Sequence, residues 1–123
     1  MTKRSRVFLL GLAALMANLF PVAAHAGGDA TNGAKLFQSR CGMCHAPDAN
    51  KIGPKLKGVI GRKAGSVDGF AYSPALKAAG ITWDEASLDK WLTNPGQMAK
   101  GTKMTFQLAN ATERADIIAY LKQ

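Results

Sequence analysis

Hydrophobic positions along this chain form one continuous run near the start and three periodic stripes further on, separated by long stretches with no period. Val7 to Phe20 is apolar except for Gly11 and Asn18. Ala30, Ala34, Phe37 and Cys41 then recur at helical spacing, which predicts a helix over 29–40 with Asp29 as its cap. Gly33 lies inside that stripe, where a glycine marks a close approach to another helix or costs about 1 kcal/mol. From 46 to 69 there is neither helical nor alternating order, and glycines at 53, 58, 61, 65 and 69 punctuate the stretch. A loop of that length in a small domain orders only around something, and Pro54, Leu56, Val59 and Ile60 could cover an apolar body.

Two short helices are predicted next. Ser73 is a cap, Pro74 the first helical residue and Gly80 the terminator. Thr82-x-x-Glu85 reads as a capping box for a helix with Leu88, Trp91 and Leu92 on one face, stopped at Asn94-Pro95. Residues 95–108 read as irregular, and a last helix is expected over 111–121, with Asn110 as its cap and Glu113 three residues on. Its Ile117, Tyr120 and Leu121 are expected to pack on the Phe37 face of the first helix. No strand-like alternation appears, so the class is all-α.

Charge changes the reading of the first run. Lys3, Arg4 and Arg6 precede it and Ala24-His25-Ala26 follows it, the pattern of a cleavable secretory signal peptide over 1–26. That run of 14 residues falls short of the ~20 that span a bilayer, so a retained anchor is the weaker alternative. Cleavage leaves one 97-residue domain, 27–123, in an oxidising compartment. That domain has 13 basic and 8 acidic residues, and its cations are scattered singly rather than in the runs of a nucleic-acid tail. After cleavage it is not expected to span a membrane, and a monomer is expected.

The chemistry is concentrated in Cys41-Gly42-Met43-Cys44-His45, the C-x-x-C-H pattern of covalent c-type haem attachment. Cys41 and Cys44 would anchor one porphyrin by two thioethers, and the adjacent His45 would stand beneath the iron. Both cysteines of the chain lie in this motif, and His25 is lost with the leader, so His45 is the domain's one histidine. A bis-histidine haem within one chain is thereby ruled out, and a protein zinc site is disfavoured. A thioredoxin-like disulfide chemistry would want a βαβ context that the pattern lacks. The sixth iron ligand must come from methionine, lysine, water or the N-terminus. Of the methionines, Met98 and Met104, both in the irregular stretch, stay open as candidates.

These motifs resemble the class I cytochrome c family, in its short soluble mitochondrial and bacterial members. The resemblance runs from the attachment motif through Gly53-Pro54-Lys55-Leu56-Lys57-Gly58, Gly61-Arg62-Lys63-Ala64-Gly65 and Gly80-Ile81-Thr82-Trp83. It continues at Asn94-Pro95, at Gly101-Thr102-Lys103-Met104-Thr105-Phe106 and through 112–122. It implies four to five short helices wrapped around one covalently bound haem c, with the terminal helices crossing at Gly33, Phe37, Ile117 and Tyr120. It implies Met104 as the distal ligand opposite His45, leaving Met98 as packing. The Pro54 carbonyl would accept the His45 Nδ1 proton. Arg62, Tyr72 and Trp83 would serve the inner propionate, with Ser73 and Thr102 near the other polar edges, and Phe106 would lie over the haem edge. Three positions depart from the family pattern: Trp91 stands in place of a usual tyrosine near the methionine sulfur, Leu76 in place of an asparagine, and Lys100 in place of a proline.

The function implied is a periplasmic electron carrier and not an enzyme. It would exchange one electron at a time with membrane complexes such as a quinol–cytochrome c oxidoreductase, a terminal oxidase or a photosynthetic reaction centre. Arg40, Lys51, Lys100 and Lys103, with Lys35, would dock the acidic surfaces of those partners. The alternative is a haem peroxidase or reductase-type enzyme with a labile methionine ligand.

Overall fold

A computed structural model describes residues 27–123, and the expected leader lies outside the described residues. Within them are α1 (Ala30–Leu36), α2 (Pro74–Ala78), α3 (Glu85–Thr93), α4 (Pro95–Met98) and α5 (Ala111–Leu121). The all-α expectation holds: the extended pairing recorded among the described residues is a single antiparallel bridge between Lys63 and Thr82.

Local sequence starts most of these helices. Asp29, in an extended conformation, accepts hydrogen bonds from the Thr31 and Asn32 N–H groups at 2.8 and 3.1 Å. Ser73 accepts from Leu76 N–H at 3.1 Å and Pro74 follows it. Asn110 accepts from the Thr112 and Glu113 N–H groups at 2.9 and 3.1 Å. Glu113 does not return a bond to its cap; its carboxylate pairs with Arg40 at 3.2 Å. Gly80 closes α2 with φ 67°, a left-handed conformation that suits glycine.

Three expectations are corrected. The first helix is α-helical only to Leu36 and continues as a π-helical turn over Phe37–Cys41, closed by Gly42 N–H on the Phe37 carbonyl at 2.9 Å. The capping box of α3 is Asp84 with Ser87, at 2.7 and 2.8 Å, and not Thr82 with Glu85. Residues 81–83 are extended and bonded to 61–64, with Ala64 N–H on the Ile81 carbonyl and Trp83 N–H on the Arg62 carbonyl, so no helix can begin before Asp84. The stretch after Asn94 is also not wholly irregular. Asn94, at φ −161°, ends α3, and Pro95 opens the single turn of α4.

The terminal helices cross on Gly33. A Cβ there would collide with the Asp116 carbonyl, so only glycine lets the two backbones meet. Phe37 and Tyr120 pack beside the crossing with ring centroids 5.3 Å apart. Asp116 is buried, and its carboxylate accepts from Asp29 N–H and from the Asn32 amide, each at 2.7 Å. The core spreads from Ile117 and Ile118 of α5 to Leu88, Trp91 and Leu92 of α3, with Val59, Trp83, Ala99 and Leu108 from the loops.

Candidate functional site

The core is not closed. A cavity of about 300 Å³ opens between the loops, and its walls are mostly apolar side chains, among them Leu56, Val59, Leu88 and Ile117. The residues singled out by sequence gather on it: Cys41, Cys44, His45, Pro54, Arg62, Tyr72, Ser73, Trp83, Thr102, Met104 and Phe106 all line it. Met98 does not; it packs on the core from α4.

The attachment motif is shaped by the turn that precedes it. The Cys41 carbonyl accepts from both Cys44 N–H, at 3.0 Å, and His45 N–H, at 2.8 Å, so the chain coils back beneath the two thiols. Both thiols are free. Burial, and then the neighbouring Cys44, push the Cys41 pKa up to about 11. A neutral Cys41 thiol is a poor nucleophile for disulfide exchange.

His45 is held in one orientation. Its Nδ1 lies 2.8 Å from the Pro54 carbonyl oxygen. A carbonyl can only accept, so Nδ1 carries the proton and Nε2 presents its lone pair. Burial holds the ring's pKa below the usual histidine value, against the raising effect of that carbonyl, and keeps the imidazole neutral. Gly53 makes room: a Cβ there would collide with the imidazole ring.

Met104 is fixed by a contact the sequence left unsettled. The Trp91 indole N–H donates to its sulfur at 3.2 Å. Trp91 is buried, and Trp83 meets it edge to face, with centroids 5.2 Å apart. The segment bearing Met104 is also tied to the loop before α2, where the Lys103 ammonium donates to the Ala71 carbonyl at 2.9 Å.

The polar groups sit differently from one another. Arg62 gives part of its guanidinium to the carbonyls of Lys55, at 2.8 Å, and Lys57, at 3.3 Å, so it shapes the loop as well as facing the cavity. The Tyr72 hydroxyl accepts from Val67 N–H at 3.1 Å, leaving its own proton to donate. Phe70 also lines the cavity, stacked edge-on against Tyr72 at 4.8 Å; sequence reading passed it over, although the aromatic-x-aromatic spacing in a glycine-rich loop was its signal. Among the cations assigned to docking, Lys51 is bound to the Gly42 carbonyl at 2.6 Å, and Arg40 is paired with Glu113.

The donor set fits a haem. Two thiols, an imidazole with a free Nε2 and a thioether share one apolar cavity with two arginines and four hydroxyl groups, which suits a flat apolar ring bearing two carboxylates. Among the described residues no cluster of three or more His, Cys, Asp or Glu side chains could hold a bare metal ion, and no helix is long and apolar enough to cross a membrane.

Comparison with known proteins agrees with this geometry. The family model described as Cytochrome c matches residues 30–123. A cytochrome c of Gibberella zeae is 50% identical over 101 residues, covering 79% of this chain and 95% of that protein. A cytochrome c2 of Rhodomicrobium vannielii is 47% identical over 107 residues, covering 84% of this chain and 85% of its own. The solved structure of cytochrome cH from Methylobacterium extorquens superposes with a TM-score of 0.74 at 48% identity, over 77% of this chain and 98% of that one.

Proposed function

The chain belongs to the cytochrome c family, electron-transfer proteins that carry covalently attached haem c, and from that premise we propose that it is an exported bacterial carrier with His45 and Met104 as its axial ligands. Cys41 and Cys44 form the two thioethers, and the leader over 1–26 is removed on export to the periplasm. The bound haem supplies the one-electron ferric–ferrous couple. The protein's own part is to hold two ligand atoms still, exclude water and present one edge of the site to a partner.

The observation that carries this reading is the convergence of both ligand atoms on one cavity, each oriented by a hydrogen bond. Pro54 orients the His45 ring and leaves Nε2 free; Trp91 orients the Met104 sulfur. A histidine–methionine pair raises the reduction potential, and the apolar wall disfavours the additional positive charge of the ferric state. Arg62, Tyr72 and Trp83 would serve the inner propionate, Ser73 and Thr102 would stand near the other polar edges, and Phe106 would cover the ring edge; all of them line the cavity. Arg40, Lys51, Lys100 and Lys103 are exposed, and they steer acidic surfaces of membrane redox complexes such as a quinol–cytochrome c oxidoreductase, a terminal oxidase or a photosynthetic reaction centre.

The test is the Met104→Ala holoprotein. The ferric iron–sulfur charge-transfer band should vanish and the iron should take up small exogenous ligands, while Met98→Ala should leave the band intact. A band that survives Met104→Ala would sink this ligand assignment.

A further inference from the structure

The three methionines of the domain stand in different surroundings. Met98 and Met104 are half-buried and packed on the core, and the Met104 sulfur already accepts the Trp91 N–H at 3.2 Å. Met43 is 82% exposed, more than any other large hydrophobic side chain among the described residues. The turn that presents it is fixed. The Cys41 carbonyl accepts from the Cys44 and His45 N–H groups, and the Lys51 ammonium donates to the Gly42 carbonyl at 2.6 Å. Ile52, 74% exposed, follows Lys51 and also lines the cavity. An unburied thioether thus stands one residue from the carbonyl that holds a docking cation.

We propose that Met43 is a modification site: it takes an oxygen atom from a hydroperoxide while the other two sulfurs are spared, and its sulfoxide weakens docking at this face. In the step a sulfur lone pair attacks one peroxide oxygen, so that an S–O bond forms and the O–O bond breaks. The thioether loses two electrons and the peroxide gains them. The hydroxide that leaves takes the proton from the new S–O–H group and departs as water. Exposure decides which methionine reacts, and the polar product is returned to the thioether by sulfoxide reductases. A polar S–O group then replaces apolar surface that a partner would bury beside Lys51. This docking consequence rests on the cationic face proposed above.

Limited hydrogen peroxide treatment of the ferric holoprotein, followed by peptide mass spectrometry, tests the site. In the folded protein Met43 should gain oxygen roughly tenfold faster than Met98 or Met104, and in concentrated urea the three rates should converge to within about twofold. The ferric charge-transfer band should persist while Met43 is converted. Equal rates in the folded protein, a preference for Met43 that survives in urea, or a band lost in step with Met43 oxidation would each overturn it. The docking consequence is read with membrane vesicles carrying a quinol–cytochrome c oxidoreductase, as the rate at which they reduce the protein below saturation. That rate should fall roughly twofold to tenfold for the sulfoxide form, the effect of losing one apolar interface contact. It should recover on treatment with methionine sulfoxide reductase, and peroxide should not change it in Met43→Leu. A rate that falls with added salt but ignores the sulfoxide would overturn the proposal at Met43 alone. A rate that ignores salt as well would remove the cationic docking reading beneath it.

Discussion

The two sides of this small domain are held by different means. At the crossing of α1 and α5 the polypeptide closes on itself: backbone meets backbone at Gly33, and the buried Asp116 carboxylate binds the start of α1 through two hydrogen bonds. Around the cavity much of the chain is loop, joined by scattered backbone bonds such as those between 61–64 and 81–83. Long side chains help to tie it: Arg62 to the Lys55 and Lys57 carbonyls, and Lys103 to Ala71. The loops enclose a space that a large apolar cofactor fills.

The largest test of this contrast is Gly33→Val. Its side chain would drive into the Asp116 backbone, which cannot retreat, and the expected loss is about 3 kcal/mol, read as a lower denaturant midpoint of the holoprotein. A smaller loss, about 2 kcal/mol, is expected for Asp116→Ala, which leaves Asp29 N–H and the Asn32 amide without their acceptor. Asp116→Asn should lose less, since it keeps one acceptor oxygen. If Asp116→Ala unfolds at the wild-type midpoint, packing alone holds the crossing. The ferric spectrum of either folded variant should match the wild type; a shifted charge-transfer band would mean that the two sides are not independent.

The smallest effect is expected where α3 begins. Ser87 N–H, and then the Ser87 hydroxyl, hold the Asp84 carboxyl below its usual value of 3.8. Its folded-state pKa is therefore depressed, so the stabilisation is fully present above 3.8 and is lost as pH falls through the lowered value. Asp84→Asn keeps a capping oxygen without the charge. The stability difference between wild type and this variant should shrink on acidification below 3.8, measured as paired unfolding midpoints. A difference that stays constant through that range would show that the charge contributes nothing.

Much of this was legible in the residues because it is local. A cap and the N–H groups it binds lie within three positions, so Asp29, Ser73 and Asn110 could be read directly. The attachment motif is five consecutive residues, and the cysteine and histidine counts removed its main competitors. Gly33 was legible as a close approach, though not the atom it approaches.

What the residues could not decide is what depends on partners far along the chain. Thr82-x-x-Glu85 satisfies a capping pattern, but pairing with 61–64 holds residues 81–83 extended and moves the helix start to Asp84. The residues alone left Met98 and Met104 open, and family resemblance favoured Met104. The fold puts Met104 on the cavity wall and Met98 against the core. The indole at 91 could have packed or donated; only the approach of α3 to the segment after Gly101 turns its N–H onto a sulfur 13 residues away. Short-range geometry is written in neighbouring residues, whereas the direction of a hydrogen bond between distant segments is set by how the whole chain packs.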